Sequence, residues 1–237
     1  MRRPDLWVGA AAGLALLYAS WLGWAPFGLT PFSMTEALGF VTGALCVYLV
    51  VRENVWNFPV GIANNAFFLV LFAGARLYGD AALQLVYIAL GFQGWYLWLR
   101  GGENRTQLRV GRASSPLLAG VAAFVVAATA ALTLLFRRVN DSAPFLDALT
   151  TALSLGAQYL LNRKAVENWW LWITADVLYI YLYFHKGLHL TAVLFFVFLG
   201  LCVAGLRGWL KTISAQGAAG RGDAAHVPEA GGGTARG

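Results

Sequence analysis

The amino-acid sequence predicts an all-α integral membrane protein of eight transmembrane helices, one N-terminal extra helix followed by a 3+1+3 core. Three observations predict it. The 237 residues are 59% hydrophobic and 12% charged, with a mean hydropathy of +0.63, which excludes an ordinary soluble domain. The apolar residues fall into eight separate segments. A shift of 111 residues then lays one half of the chain over the other, as set out below.

The segments run over 6–27, 36–51, 57–74, 79–99, 116–136, 145–162, 168–185 and 189–210, several of them shorter than the ~20 residues of a usual span. The first follows Arg2-Arg3, a pair without a twin-arginine context. Its long apolar run and poor cleavage signal favour a retained helix over a signal peptide. With eight spans and the N-terminus inside, thirteen of the 17 Lys and Arg fall on the inner side; only Arg76, Arg137, Arg138 and Lys186 fall outside. Basic residues concentrate on the cytoplasmic face of membrane proteins, so both termini are expected in the cytoplasm of a cell bounded by an inner membrane. The same placement explains the net charge of +6 as membrane orientation, with no nucleic-acid partner. Residues 1–212 are expected to form one transmembrane domain. From 213 the chain turns to Ala, Gly and scattered polar residues, and 213–237 is expected to be a disordered cytoplasmic tail.

The 111-residue shift aligns 36–100 with 147–211 without a gap, and seventeen of the 65 pairs are identical. The uncommon residues carry the match: Tyr48 meets Tyr159, Arg52 meets Arg163, Asn57 meets Asn168, Gly94 meets Gly205 and Trp98 meets Trp209. Each copy holds three helices. An odd number would invert the second copy, and the helix at 116–136 restores its orientation. Parallel repeats of this kind are a transporter architecture, with substrate held near the midplane between them.

Chemistry concentrates in Glu167–Lys186. At helical spacing Trp169, Trp172, Asp176, Tyr179 and Tyr183 share one face. Asp176 stands eight residues beyond Asn168, ~12 Å into a hydrocarbon layer ~30 Å thick. An ionisable group at that depth is costly and faces a cavity or a partner. The neighbouring Trp rings suit a flat, electron-poor ligand. The structural alternative is an interfacial Trp belt with Asp176 bonded to a neighbouring helix. The 111-residue shift matches this face to Phe58, Gly61, Asn65, Phe68 and Phe72, which is smaller and bears an amide.

These residues resemble the PnuC family of vitamin-precursor transporters. The resemblance rests on Trp56-Asn57-Phe58-Pro59-Val60-Gly61-Ile62, on Leu77-Tyr78-Gly79-Asp80-Ala81-Ala82-Leu83-Gln84-Leu85 and on Gly94-Trp95-Tyr96-Leu97-Trp98. In the second half it rests on Asn168-Trp169-Trp170-Leu171-Trp172-Ile173 and Lys186-Gly187-Leu188-His189-Leu190-Thr191-Ala192. It implies a SWEET-like 3+1+3 fold, facilitated diffusion of nicotinamide riboside, and trapping of that substrate by a cytoplasmic kinase. It also implies a homotrimer in the membrane lipid. Relatives that take thiamine or other vitamins keep those substrates open.

For such a ligand Trp169 and Trp172 are the candidate ring-stacking residues, with Asp176 and Tyr179 beside them. Asn65 and Gln84 are candidates for carboxamide or hydroxyl groups, because an amide both donates and accepts. Gln158 and Tyr159 are further candidates; the structural alternative for Gln84 and Gln158 is hydrogen bonding between helices. Asn64 points about 100° from Asn65, so one of the two is expected to face the pathway. Asn57, Asn168 and Asp80 are expected to cap helices. His185 and His189 do not make a metal site by themselves, Cys46 and Cys202 lack ligand spacing, and no cofactor is expected. No His-Glu-x-x-His, Gly-x-Ser-x-Gly or phosphate-cradling loop supports an enzyme. A retinal receptor would need a mid-membrane lysine, whereas Lys164, Lys186 and Lys211 fall at helix ends. A SWEET-type sugar carrier would use similar Trp and Asn residues.

Overall fold

The computed structural model describes Tyr18 and residues 34–74, 76, 78–140, 142–185 and 189–224. The segment expected as the first helix lies outside the described residues, Tyr18 excepted, as does the tail beyond 224. The chain is all-helical over the described residues: α1 (Met34–Val51), α2 (Asn57–Gly74), α3 (Tyr78–Arg100), α4 (Ser115–Arg138), α5 (Pro144–Asn162), α6 (Asn168–His185) and α7 (His189–Ala224). The helices coincide with apolar segments two to eight to within a few residues, except that α7 runs past 212 to Ala224. A helix already formed extends without a new nucleation cost, and no proline follows until Pro228.

Among the described residues, four helical segments are long and apolar enough to cross a membrane: Asn57–Gly74, Tyr78–Arg100, Ser115–Arg138 and Thr191–Ala218. The apolar stretch of α1, Ala37–Val51, is shorter. Five polar residues of α5 and α6 point inward, Thr150, Ser154, Asn162, Asn168 and Asp176, all of them buried. Packing runs α1 to α2, α2 to α3, α3 to α5, α5 to α6, α6 to α7 and α7 back to α1, which closes a ring of six helices. Helix α4 stands outside the ring, against α5.

One end of the ring is tied by contacts that recur at the 111-residue offset. Helices α1 and α5 both finish in a Schellman turn, with Asn54 N–H bonded to Leu49 O at 2.8 Å and Ala165 N–H to Leu160 O at 3.1 Å. The left-handed residue each turn requires is Glu53 (φ 52°) in one and Lys164 (φ 50°) in the other. Glycine is the usual occupant of that conformation. Here the two side chains instead meet each other, Lys164 Nζ to Glu53 Oε2 at 3.4 Å. Thr212 Oγ1 also donates to Glu53 Oε1, and the ammonium lies 4.5 Å from the Trp98 ring centroid. Burial pushes the Lys164 ammonium below the ordinary lysine value, and the Glu53 carboxylate works against that.

The indoles beneath repeat the pattern. Trp98 Nε1 donates to Leu161 O at 3.0 Å and Trp209 Nε1 to Val50 O at 3.2 Å, so each half caps a carbonyl of the other. Phe58 meets Trp98 edge-on at 5.1 Å, and Trp169 meets Trp209 edge-on at 5.3 Å. Both contacts need a glycine opposite: a Cβ at Gly94 would overlap Phe58 and Asn162, and one at Gly205 would overlap Trp169. The linker between α3 and α4 folds over this end. Gly111 N–H bonds Lys164 O and Val166 N–H bonds Gly111 O, and Ala113 N–H reaches Glu167 Oε2. This leaves Val110 buried in the aromatic core.

Candidate functional site

The ring encloses a cavity of about 330 Å³, and each of its six helices contributes to the lining. The face expected from α6 does so through Trp169, Trp172, Asp176 and Tyr179. Tyr183, one turn further, lies off the lining and stacks on Tyr179 at 5.9 Å. Opposite stand Phe58, Gly61 and Asn65 of α2, while Phe68 and Phe72 stack on each other at 5.6 Å beyond it. Gln158 of α5 lines the cavity and donates its amide to Asn162 Oδ1 at 2.9 Å. Asn162 in turn donates to Leu90 O and Gln93 Oε1, tying α5 to α3.

Two expectations are corrected here. Gln84 does not line the cavity. It shares a helix face with Tyr87 and Gly91, which do, but it sits one turn nearer the start of α3, ~4.5 Å beyond the rim. Asn64 and Asn65 both line the cavity. A wall this wide takes in two positions 100° apart. The expected caps also differ. Asn57 Nδ2 donates to Asn54 O at 2.7 Å and Asn168 Nδ2 to Ala165 O at 2.6 Å, so each amide ties its helix start to the preceding turn. Asp80 is exposed in the first turn of α3, where a carboxylate complements the helix dipole. Tyr159 lies under the Arg163 guanidinium at 3.9 Å rather than in the cavity. His185 is exposed near Tyr181, and the His189 side chain is outside the described residues.

The cavity is aromatic with few polar groups. Among the described residues that line it, Asp176 is the one carboxylate and none is basic. Trp169 is almost wholly buried, whereas Trp172 is half-buried, so Trp172 has ring surface to offer. Three polar atoms of the lining are buried without a hydrogen-bond partner among the described residues: Asn64 Oδ1, Trp169 Nε1 and Asp176 Oδ2. The Cys202 thiol lies within hydrogen-bonding reach of Asp176. Buried polar groups are nearly always paired, so these three atoms, closed off behind the cavity wall, are exceptions.

Sequence reasoning had passed over Asn64, Tyr87 and Cys202 as lining residues, and Asn162 as the residue that holds Gln158. Asn162 carried a signal, since the 111-residue shift sets a polar residue there against Val51.

Comparison with known proteins agrees with this picture. The family model described as nicotinamide mononucleotide transporter matches residues 33–211. The nicotinamide riboside transporter PnuC of Escherichia coli is 25% identical over 211 residues, covering 78% of this chain and 88% of that protein. The riboflavin/roseoflavin transporter RibM of Streptomyces davaonensis is 28% identical over 181 residues, covering 74% of this chain and 84% of that protein. A crystal structure of the vitamin B3 transporter PnuC matches with a TM-score of 0.62 at 25% identity, covering 88% of this chain and 92% of that one. The ring of helices, the cavity inside it and a family match over most of the sequence lead to one conclusion: the chain belongs to the PnuC family of membrane transporters.

Proposed function

We propose that this chain carries nicotinamide riboside across the cell inner membrane by facilitated diffusion. The substrate binds near mid-membrane between two parallel three-helix repeats. The observation that carries this reading is the cavity itself, which puts the Trp172 ring and the Asp176 carboxylate in one wall and Asn65 in the facing wall. A cationic pyridinium ring on Trp172 gains a cation–π contact of ~0.5–2 kcal/mol. Asp176 then stands by as its counter-charge or as a hydroxyl acceptor, and Asn65, Gln158 and Tyr179 offer hydrogen bonds. Trp169, held edge-on by Trp209 and almost wholly buried, contributes a ring edge to the same wall in place of a free face.

The repeat layout is supported by the contacts that recur at the 111-residue offset, with α4 as the inverting helix and the segment at 6–27 as an eighth span. Both termini, the α3–α4 linker and the Glu53–Lys164 pair then lie on the cytoplasmic side. Asp176 is the one carboxylate of the described spans away from a helix end, Asp147 lying in the first turn of α5, which is too few for a proton relay, so uptake follows the substrate gradient. A homotrimer and a cytoplasmic kinase that traps the substrate complete the proposal.

The similarity to RibM favours riboflavin as the second reading. Uptake of labelled nicotinamide riboside, riboflavin and thiamine by cells expressing the chain separates these readings. Selective uptake of the riboside is expected, and uptake of riboflavin or thiamine in its place refutes the proposal.

A further inference from the structure

A chain of hydrogen bonds runs from the packing of α3 on α5 to the cavity wall, and its first acceptor fixes its direction. The Leu90 carbonyl can only accept, so the Asn162 atom 2.8 Å from it is the amide nitrogen, Nδ2. The same nitrogen reaches Gln93 Oε1 at 3.2 Å, which uses its second N–H. Asn162 Oδ1 is thereby left as an acceptor, and the Gln158 atom 2.9 Å from it is the donor Nε2. Asn162 is fully buried and does not line the cavity, while Gln158 is half-buried and does. Gly94 makes room for the Asn162 amide, since a Cβ there would overlap Oδ1. The ties at the closed end of the ring recur at the 111-residue offset. This chain does not: Gln158 and Asn162 stand against Val47 and Val51, and Gln93 against Ala204.

We infer that Asn162 is a positioning residue for substrate recognition, turning the Gln158 amide so that its carbonyl oxygen is the group offered to the ligand. The inference rests on the riboside reading above and adds to it a residue that never touches the ligand. An unrestrained glutamine amide presents nitrogen or oxygen with equal ease, and it loses side-chain freedom when a ligand fixes it. With Nε2 held by Asn162, the choice and much of the ordering are made before the ligand arrives. The group that this oxygen recognises is a donor, a ribose hydroxyl or an amide N–H.

The test is a double-mutant cycle in nicotinamide riboside affinity, by titration calorimetry on the purified full-length protein, with melting temperature read on the same samples. Gln158→Ala is expected to weaken the riboside roughly two- to ten-fold, the worth of one hydrogen bond. Asn162→Ala is expected to weaken it nearly as much from outside the cavity, and the double variant to bind like either single one. Asn162→Leu keeps the branched shape without the hydrogen bonds and stands in where the alanine variant does not fold. A merely structural Asn162 would lower the melting temperature yet leave the effect of Gln158→Ala intact, so additive losses overturn the inference. Native affinity in Gln158→Ala overturns it as well, with no Asn162 variant needed. In both cases riboside binding by the wild type leaves the riboside reading standing. A wild type that does not bind the riboside ends that reading and the inference together.

Discussion

The tied end of the ring and the cavity inside it are built from aligned positions, yet they differ in kind. At the tied end the two halves carry the same chemistry. Trp98 and Trp209 make the same bond to Leu161 and Val50, and Asn57 and Asn168 make the same bond to the turn before them. In the cavity the aligned positions diverge: Gly61 faces Trp172, Asn65 faces Asp176, Val47 aligns with Gln158, and Gly91 with Cys202. The matched positions hold the halves together. The diverged ones give an asymmetric ligand two unlike walls. Glu53 and Lys164 belong to both descriptions, with the same backbone turn and opposite charges that pair.

Breaking a matched contact should cost folding. Trp209→Ala removes a fully buried ring that touches both Trp98 and Trp169, and is expected to cost about 3–5 kcal/mol. Thermal unfolding in detergent, with the yield of monodisperse protein, checks this. Trp209→Phe should recover part of the loss by keeping the ring without its hydrogen bond to Val50.

Breaking a diverged contact should cost binding instead. Trp172→Ala is expected to lose roughly 1–3 kcal/mol of riboside affinity, about five- to a hundred-fold, with Trp172→Phe intermediate. Calorimetry reads the difference directly.

The Glu53–Lys164 pair sharpens the boundary between the two classes. Removing one partner leaves a largely buried charge alone, so Glu53→Gln by itself should destabilise by about 1–3 kcal/mol. Adding Lys164→Met should restore much of that loss, and a double-mutant cycle on melting curves measures the coupling. The smallest effect belongs to Gly61. A Cβ at Gly61 meets only Cys46 Sγ, at 3.8 Å, so Gly61→Ala should melt at or slightly above the wild type. Gly205→Ala should melt lower, because its Cβ overlaps Trp169.

The helices were legible because each apolar segment ends where polar or turn-forming residues begin. Seven of them emerge nearly as read, from Met34–Val51 to the start of α7 at His189. The α6 face was legible because a 3.6-residue period fixes which residues share a side. Depth is not encoded in that period, which is why Gln84, one turn before Tyr87 on the same face of α3, reads as a cavity residue in the sequence. Nor does the period give the width of a wall, which is why it predicts one of Asn64 and Asn65 in the pathway where both line it. The bridge from the α3–α4 linker to Lys164 and Val166 uses backbone groups, and nothing in the side chains of 101–114 announces it. The ion pair did leave a trace: opposite charges stand at aligned positions 53 and 164 of an otherwise matched turn.

The claim that matched positions hold the fold and diverged positions recognise the ligand is tested most directly by measuring two quantities on the same samples. Melting temperature and riboside affinity should be determined for Trp172→Ala and for Trp98→Phe, both purified as folded protein. Trp172→Ala should melt near the wild type and bind at least about five-fold more weakly. Trp98→Phe, lacking the bond to Leu161, should melt lower and bind with nearly native affinity. Native affinity in correctly folded Trp172→Ala would contradict it.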